Sequence, residues 1–262
     1  MAIINITKDS FYAGSRAMDD AAIAKALQLA DEGADIIDIG GESTRPGSEP
    51  INIEEEIKRV VPVIEAIVDK LDKKTKISVD TYKIEVARAA VEAGATIVND
   101  ITGMQSQEMR ELVSDEHLEC VIMHMQGTPK TMQLSPAYQN VVKEIRDFLA
   151  ERIDACETVG VHPQHIIVDP GIGFGKTTQH NLEILRNLEK FKELGKRLLI
   201  GASRKSFIGK ILQNEEYPLA PEDRLEGSLA IASYCSLKGI DILRVHDVKE
   251  TVRTIKILER LK

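Results

Sequence analysis

Eight short runs rich in β-branched residues recur along the chain, and a longer amphipathic segment follows each of them. Each run is too short for a helix and ends in polar or turn residues, which favours a strand. Strands that alternate with helices predict βαβ units and a parallel sheet. The predicted strands span residues 2–6, 35–39, 76–80, 96–100, 120–125, 165–169, 197–202 and 241–245.

The length of the chain limits how such a sheet is arranged. Its 262 residues match the roughly 250 residues that one (β/α)8 barrel needs. No linker and no shift in composition divides the chain. We therefore predict an α/β protein, a single (β/α)8 TIM barrel domain over residues 1–262. An open, doubly wound sheet is the main alternative.

Apolar spacing predicts where several helices lie. Residues 141–156 place apolar side chains on one face at steps of three and four, as in an amphipathic helix. A second helix is predicted to begin at Asp19 and to end at Gly33, a residue suited to helix termination. A third, over residues 54–71, contains Pro62, which predicts a kink or a break there.

Composition excludes several classes of function. The formal net charge is −8, so the protein repels a phosphate backbone and no nucleic-acid partner is expected. No apolar run approaches the roughly 20 residues of a membrane span, and the first residues lack the pattern of a signal peptide. The three cysteines are scattered and odd in number, which indicates reduced thiols. We therefore expect a soluble, cytoplasmic protein with no membrane partner.

Polar side chains follow the predicted strands rather than precede them. In a (β/α)8 barrel the carboxyl ends of the strands meet at one rim, where the active sites of this fold lie. One such residue alone could simply cap the next helix. Because every strand carries one, we predict a single site built from this rim. The strand-end residues are Asn5, residues 42–45, Asp80, Asn99, Asp100, His124, Asp169, residues 203–205, Arg244 and His246.

Several of these strand-end segments resemble those of the dihydropteroate synthases, in the order in which that family carries them. STRPG, DPGIGFGK and SRKSFIG are the most specific of the matches, and the resemblance covers nearly the whole chain. The matching segments are DIGGESTRPGS (38–48), SVDT (78–81), VNDITG (98–103), MHMQGTP (123–129), VDPGIGFGK (168–176), GASRKSFIG (201–209) and RVHDV (244–248).

The resemblance implies a pocket for a pterin ring. Asp80, Asn99 and Asp169 end three predicted strands, and ionised carboxylates form strong hydrogen bonds with the N–H groups of such a ring. Met123 and Phe174 resemble the apolar walls, and glycines around Phe174 let backbone approach the ring. The alternative for Asp80 and Asp169 is that both cap helices. The full set that the resemblance assigns to the pterin is Asp80, Asn99, Ile101, Met123, Asp169, Phe174, Gly201 and Lys205.

A second pocket, for p-aminobenzoate, is also implied by the resemblance. Lys205 is similar to the family's lysine that meets both substrates, although a lone lysine is usually a solvated surface residue. Ser203 resembles a hydroxyl that contacts the aminobenzoate. Thr44, Arg45 and Pro46 resemble the family's second loop, which closes over this substrate.

The last predicted strand carries residues suited to an anionic leaving group. Arg244 and His246 are two residues apart in a strand and therefore leave it on the same face. The resemblance assigns both to the pyrophosphate, together with Arg45 and Asn5. It also implies a Mg²⁺ ion bound through Asn5, and Mg²⁺ takes few protein ligands because it keeps several waters.

The resemblance implies catalysis by Asp80, Asp169, Lys205, Arg244 and His246. The reaction would join 6-hydroxymethyl-7,8-dihydropterin pyrophosphate to p-aminobenzoate in folate biosynthesis, without a covalent enzyme intermediate. No Ser–His or Cys–His pair is evident in the sequence.

Two alternatives stay open at this point, a corrinoid methyltransferase that uses methyltetrahydrofolate and a non-catalytic pterin-binding paralogue. The second is kept open by Lys8, which departs from the family pattern in the first loop, as Ala13 also does. A homodimer is expected from the family alone.

Overall fold

The computed structural model of the chain describes residues 1–6, 15–44 and 47–261, with backbone alone at residues 15–19. Eight parallel strands form its sheet in the order β1 to β8, so neighbours in sequence are neighbours in space. All eight predicted strands are confirmed, with ends that shift by a few residues. They are β1 (Ala2–Asn5), β2 (Ile36–Gly40), β3 (Lys76–Asp80), β4 (Ile97–Asp100), β5 (Glu119–Met123), β6 (Ile166–Asp169), β7 (Arg197–Ile200) and β8 (Ile242–Leu243).

Helices connect consecutive strands. Within the described ranges these are α1 (Ser15–Asp31), α2 (Ile53–Val68), α3 (Ile84–Glu92), α4 (Gln107–Asp115), α5 (Val141–Thr158), α6 (Thr178–Arg186), α7 (Leu188–Lys192), α8 (Ser206–Leu212), α9 (Leu225–Leu237) and α10 (Val248–Leu261), with 3-10 turns at Pro163–His165 and Pro221–Asp223. None of these helices is both long and apolar enough to cross a membrane.

The two ends of the sheet are joined by backbone hydrogen bonds. Val245, just after β8, accepts a hydrogen bond from the N–H of Ile3 at 3.0 Å, and its own N–H donates to Met1 at 2.9 Å. Ala2 and Val245 also form a parallel bridge. The first strand therefore lies beside the last one.

Alternation along the strands separates an apolar floor from a polar rim. Ile36, Ile97, Val121, Ile167 and Leu199 pack together on one face of the sheet, with Met1 and Ile242. Because side chains alternate along a strand, the residues two positions later share that face one level nearer the carboxyl ends. The residues at that level include Asp38, Asn99, Asp169, Gly201 and Arg244. The sequence thus places polar groups above a packed apolar layer.

The predicted helices are confirmed with two corrections. Helix α5 contains the predicted residues 141–156, and Gly33 follows α1 with a φ of 101°. The predicted start of α1 at Asp19 is wrong, because the helix begins at Ser15 and includes Arg16, Ala17 and Met18, which are good helix formers.

A kink or a break is predicted at Pro62, and the break does not occur, since α2 continues through this residue. Proline removes one backbone hydrogen bond from the helix. Four apolar side chains of α2 around this position are fully buried in the core and hold the helix in place. They are Val60, Val63, Ile64 and Ile67.

Candidate active site

A cavity of about 310 Å³ opens at the carboxyl ends of the strands. This volume lies at the lower end of the range of roughly 300–1,000 Å³ that small-molecule sites occupy. The convergence of strand-end residues on one rim, predicted from the sequence, is confirmed there. Its lining includes the predicted residues Asn5, Thr44, Phe174, Gly201, Ser203, Lys205, Arg244 and His246.

Three residues predicted to meet the pterin edge, Asp80, Asn99 and Asp169, are not among the residues that line this cavity. Asp80, Asn99 and Asp169 are buried, and Arg244, which lines the cavity, donates a hydrogen bond to Asp80 at 2.6 Å. Ile101 and Met123 are buried with Phe174 and Met132 in one small apolar cluster. Arg244 thus connects Asp80 to the open cavity, and the assignment of these residues to a pterin stays a prediction.

Arg244 is held between two carboxylates. Its Nε donates to Oδ2 of Asp38 at 2.7 Å, and its Nη2 lies 2.6 Å from both Asp38 and Asp80. Burial lowers the pKa of the guanidinium, but the charges of Asp38 and Asp80 outweigh it and raise the pKa overall. In this arrangement the side chain turns toward the interior of the sheet, so its predicted partnership with a pyrophosphate stays a prediction.

Sequence reasoning assigned no role to Asp38, although it is completely buried at the centre of this cluster. Oδ1 accepts a hydrogen bond from the hydroxyl of Ser78 at 2.6 Å, and Oδ2 accepts one from Nδ2 of Asn99 at 3.2 Å. The available signal was an aspartate within an otherwise apolar strand, IIDIG. A charged residue inside a buried strand needs partners, and those partners come from three distant parts of the chain.

The two pterin-edge carboxylates carry raised pKa values. Burial raises the pKa of Asp80 to about 7, and the positive charge of Arg244 opposes a larger rise. Burial also raises the pKa of Asp169, while the N–H of Gly171, which donates to Oδ1 at 2.7 Å, opposes it. Groups with such pKa values change protonation readily when a partner arrives, which is typical of functional sites.

Asp100, another strand-end carboxylate, does not contact this group of residues but the turn that follows its own strand. It is buried, and its carboxylate accepts hydrogen bonds from the N–H groups of Thr102 and Met104 at 2.7 and 3.0 Å. These contacts stabilise the turn after β4.

Lys205 lies over the apolar wall. Its Nζ is 4.0 Å from the centroid of the Phe174 ring, a distance suited to a cation–π contact. Burial and the nearby charge of Arg244 lower the pKa of Lys205 to about 8, while the charges of Asp169 and Asp80 oppose the shift. Lys205 is therefore a partly buried cation that lies between the cavity and the ring of Phe174.

A Ser–His pair, which the sequence did not make evident, is present in the cavity. The hydroxyl of Ser203 lies 3.1 Å from Nδ1 of His246 and 3.2 Å from the backbone nitrogen of the same residue. Burial, aided by Arg244, lowers the pKa of His246 to about 4. Such a weak base is poorly suited to activate a serine nucleophile, so the pair serves to orient the ring.

A buried lysine holds the glycine-rich segment after β6. Nζ of Lys176 donates to the carbonyl of Phe174 at 2.9 Å and lies 3.1 Å from Nδ1 of His124, which sequence reasoning left unassigned. Burial lowers the pKa of Lys176 to about 7 and that of His124 to about 3. Gly171 has a φ of 70°, and a Cβ there would lie 1.9 Å from the carbonyl oxygen of His124. Only glycine fits this turn, which places Phe174.

The predicted Mg²⁺ ligand, Asn5, lies at the end of β1 and lines the cavity with Arg244 and His246. Its amide oxygen is a hard donor of the kind Mg²⁺ prefers. Among the described residues, no group of three or more His, Cys, Asp or Glu side chains is arranged to hold a metal. The residues present thus fit an ion that takes one protein oxygen and completes its shell with phosphate oxygens and water.

Thr44 lines the cavity, whereas the predicted residues Arg45 and Pro46 lie outside the described residues, as do Lys8 and Ala13. An ion cluster fixes the chain on either side of this segment. Glu42 accepts a hydrogen bond from the N–H of Ile51 at 2.9 Å, and Lys83 donates to Glu42 at 2.7 Å and to the carbonyl of Ile51 at 2.8 Å. Sequence reasoning missed Lys83 because only the fold brings it to Glu42.

Comparison with known proteins identifies close relatives. Residues 1–246 match the family described as pterin binding enzyme. The dihydropteroate synthase of Escherichia coli K12 is 43% identical to this chain over 261 residues, which cover 99% of the chain and 90% of that protein.

Solved structures resemble the whole chain. A Yersinia pestis dihydropteroate synthase in a sulfonamide drug complex has a TM-score of 0.91 and 40% identity, covering 100% of this chain and 93% of that one. The Xanthomonas albilineans dihydropteroate synthase in complex with 7,8-dihydropteroate has a TM-score of 0.88 and 40% identity, covering 100% and 92%.

Proposed function

We propose a function from the premise that this chain belongs to the pterin-binding enzyme family and, within it, to the dihydropteroate synthases. It condenses 6-hydroxymethyl-7,8-dihydropterin pyrophosphate with p-aminobenzoate and releases 7,8-dihydropteroate and pyrophosphate. This proposal rests on one observation, that hydrogen-bond acceptors and cationic or donor groups meet at one rim of the sheet. Buried hydrogen-bond acceptors, Asp80 and Asp169, lie at the same rim as cationic or N–H donor groups, Lys205, Arg244 and His246.

The first part of the reaction breaks the bond between the pterin methylene carbon and the pyrophosphate oxygen. The oxygen keeps the electron pair and leaves with the pyrophosphate, so positive charge develops on the pterin. Asp80 and Asp169 face that charge from a buried position, where electrostatic stabilisation is stronger than in water. Because the carboxylate of Asp169 is fixed in advance by the N–H of Gly171, it needs little reorganisation during the reaction.

The second part forms the carbon–nitrogen bond. The amine nitrogen of p-aminobenzoate donates its electron pair to the methylene carbon and then loses a proton. Lys205 lies between the cavity and Phe174, where it can contact both substrates. Thr44 and Ser203 line the same cavity, and we assign them, with Arg45 and Pro46, to the aminobenzoate subsite. Holding both reactants in one cavity supplies much of the rate enhancement by proximity.

Arg244, His246, Asn5 and Arg45 form the proposed pyrophosphate subsite. His246 is neutral at pH 7, because its pKa is lowered to about 4, and it therefore offers an N–H donor rather than a charge. Asn5 would hold the Mg²⁺ ion, which supplies positive charge to the pyrophosphate when bound. Arg244 would exchange its contact with Asp80 for the substrate, since the pterin edge needs that carboxylate.

Three further features are proposed at a finer level. We infer that the parallel sheet closes into a (β/α)8 barrel, on the strength of the hydrogen bonds between Val245 and both Met1 and Ile3. A cytoplasmic location is consistent with Cys120, Cys156 and Cys235, which are all buried free thiols. A homodimer stays a prediction from the family.

Genetic complementation tests the proposed function. A bacterial strain that lacks its own dihydropteroate synthase should grow without the end products of folate metabolism when it expresses this chain. The same strain expressing the Asp80→Ala variant should not grow. Failure of the unmodified chain to restore growth, despite accumulation of folded protein, would count against the assigned reaction.

A further inference from the structure

We propose that Asp38 is a positioning residue for pterin recognition, which sets the orientation of the Asn99 amide and the place of Arg244. This inference rests on the proposed function. Asp38 itself is fully buried below the rim and reaches the substrate only through these two side chains.

Asp38 lies where three strands bring their polar residues together. It is paired in register with Ser78 of β3, and Asn99 of β4 lies opposite Asp80. Arg244 approaches from the opposite end of the sequence, 206 residues away, across the junction of the first and last strands. No single element could hold these groups, so the carboxylate of Asp38 connects them.

The contact with Asn99 decides which way its amide points. A carboxylate only accepts hydrogen bonds, so the group that faces Oδ2 of Asp38 at 3.2 Å must be the NH₂ of Asn99. The carbonyl oxygen and the second N–H of the amide are then left for a ligand. An acceptor beside a donor matches the edge of a pterin, where a ring nitrogen lies next to an amino group.

The contact between Asp38 and Arg244 keeps the guanidinium in the site when the substrate forms hydrogen bonds with Asp80. Nε and Nη2 of Arg244 both contact Oδ2 of Asp38, and Nη2 also contacts Asp80. When Asp80 accepts hydrogen bonds from the pterin instead, the contacts between Arg244 and Asp38 remain. Arg244 is then anchored at the pocket with its second terminal nitrogen available for the pyrophosphate.

The identity of residue 38 is therefore constrained by hydrogen bonding rather than by volume. A carboxylate accepts from Ser78, Asn99 and Arg244 at the same time, because its two oxygens offer about four acceptor positions. An amide of the same size offers one oxygen and turns an NH₂ toward these donors. Asp38→Asn should thus free the Asn99 amide to rotate and release Arg244, with little change in packing.

The test uses Asp38→Asn and the control Ser78→Ala in the full chain. Ser78→Ala removes another hydrogen bond to the same carboxylate without touching Asn99 or Arg244. We expect Asp38→Asn to weaken binding of pterin-6-carboxylate about tenfold or more, as expected when a buried charged partner is lost. It should raise KM for the pterin pyrophosphate by a similar factor and leave KM for p-aminobenzoate unchanged. Ser78→Ala should change pterin affinity less than about threefold.

The double variant Asp38→Asn/Asn99→Asp is compared with Asn99→Asp, which alters the pterin contact by itself, and it serves even where Asp38→Asn folds poorly. It exchanges the carboxylate and the amide between residues 38 and 99, so the net charge of the pair and its hydrogen bond are kept. Residue 99, which faces the ligand, then carries a carboxylate in place of an amide. We expect thermal stability to return toward the unmodified value and pterin affinity to stay low. Recovery of both, or equal loss of affinity in Asp38→Asn and Ser78→Ala, would overturn the proposal. Absence of pterin binding by the unmodified chain would instead overturn the proposed function.

Discussion

The hydroxyl of Ser203 contacts Nδ1 of His246 at 3.1 Å and accepts the backbone N–H of the same residue at 3.2 Å. We assign the hydroxyl proton to the contact with Nδ1, since the oxygen can donate there while it accepts the backbone N–H. The neutral ring then carries its proton on Nε2. His246 is therefore fixed as a hydrogen-bond donor toward an anion in the cavity.

Ser203→Ala should loosen this arrangement, because the ring loses the partner that selects its tautomer. We expect affinity for pyrophosphate to fall by about 1 kcal/mol, the usual net value of one hydrogen bond. Calorimetry with pyrophosphate and Mg²⁺ measures this change. Ser206→Ala, which alters another hydroxyl of the same cavity, is the control and should leave pyrophosphate affinity unaltered. An equal effect of both variants would show that the Ser203–His246 contact has no special role.

The pH dependence of stability should report the buried neutral state of His246. Its pKa is about 4 in the folded protein against an ordinary value of 6.5, so between these values only the unfolded chain binds the proton. The contribution of His246 to the free energy of unfolding should therefore fall as the pH falls from about 6.5 to about 4, by at most about 1.4 kcal/mol per pH unit. Asp80, whose pKa is raised to about 7, changes the free energy of unfolding in the opposite direction over this window, so the contribution of His246 is measured as a difference between two variants. Above pH 6.5 the contribution should be constant.

Denaturant unfolding of the unmodified chain and of His246→Asn, at a series of pH values, measures this slope. Asparagine keeps an acceptor for Ser203 but does not titrate. The variant should lose less stability than the unmodified chain across the window, while His124, with a pKa of about 3, contributes equally to both. Parallel curves would contradict a neutral, buried His246.

Asp169→Asn should weaken pterin binding by about 1.5–3 kcal/mol, because one acceptor becomes a donor in a buried site. The N–H of Gly171 donates a hydrogen bond to Oδ1 of Asp169 at 2.7 Å. The amide oxygen of the variant can still accept this hydrogen bond, so the fold should persist. Titration with a pterin ligand gives the affinity, and the melting temperature gives the control on folding. Unchanged affinity in a folded variant would remove Asp169 from the pterin site.

Much of the fold was predictable because it depends on local pattern. Eight short β-branched runs between amphipathic segments specify eight parallel strands, and Gly33 marks the end of α1. The start of α1 and the unbroken helix at Pro62 were not predictable in this way. At Pro62 the burial of Val60, Val63 and Ile64 decides the outcome, and tertiary packing of this kind overrides a local preference.

In the candidate site, too, the sequence predicted individual residues but not the contacts between distant parts of the chain. Strand-end motifs were sufficient to find Lys205 and His246, which line the cavity, and Asp80, which is bonded to Arg244. They did not indicate the partners. Asp38 meets Arg244 across 206 residues, and Ser203 meets His246 across 43. Pairings between distant strands depend on register and closure, which sequence periodicity does not encode.

The order of substrate binding should follow from the shared residues of the two subsites. Arg45 is assigned to both pyrophosphate and p-aminobenzoate, so the two ligands share a binding residue and the affinity for one should depend on the other. We expect p-aminobenzoate to bind measurably only with Mg²⁺ and pyrophosphate present. Calorimetry with and without them decides this, and equal affinity in both conditions would contradict the ordered mechanism.

The most direct test of the assigned reaction is the release of pyrophosphate by the purified chain, followed together with product formation by mass spectrometry. Mixtures contain Mg²⁺, 6-hydroxymethyl-7,8-dihydropterin pyrophosphate and p-aminobenzoate, and each component is omitted in turn. The account predicts that pyrophosphate and 7,8-dihydropteroate appear in equal amounts and only when both substrates are present. Pterin binding without formation of either product, or pyrophosphate release that does not depend on p-aminobenzoate, would contradict it.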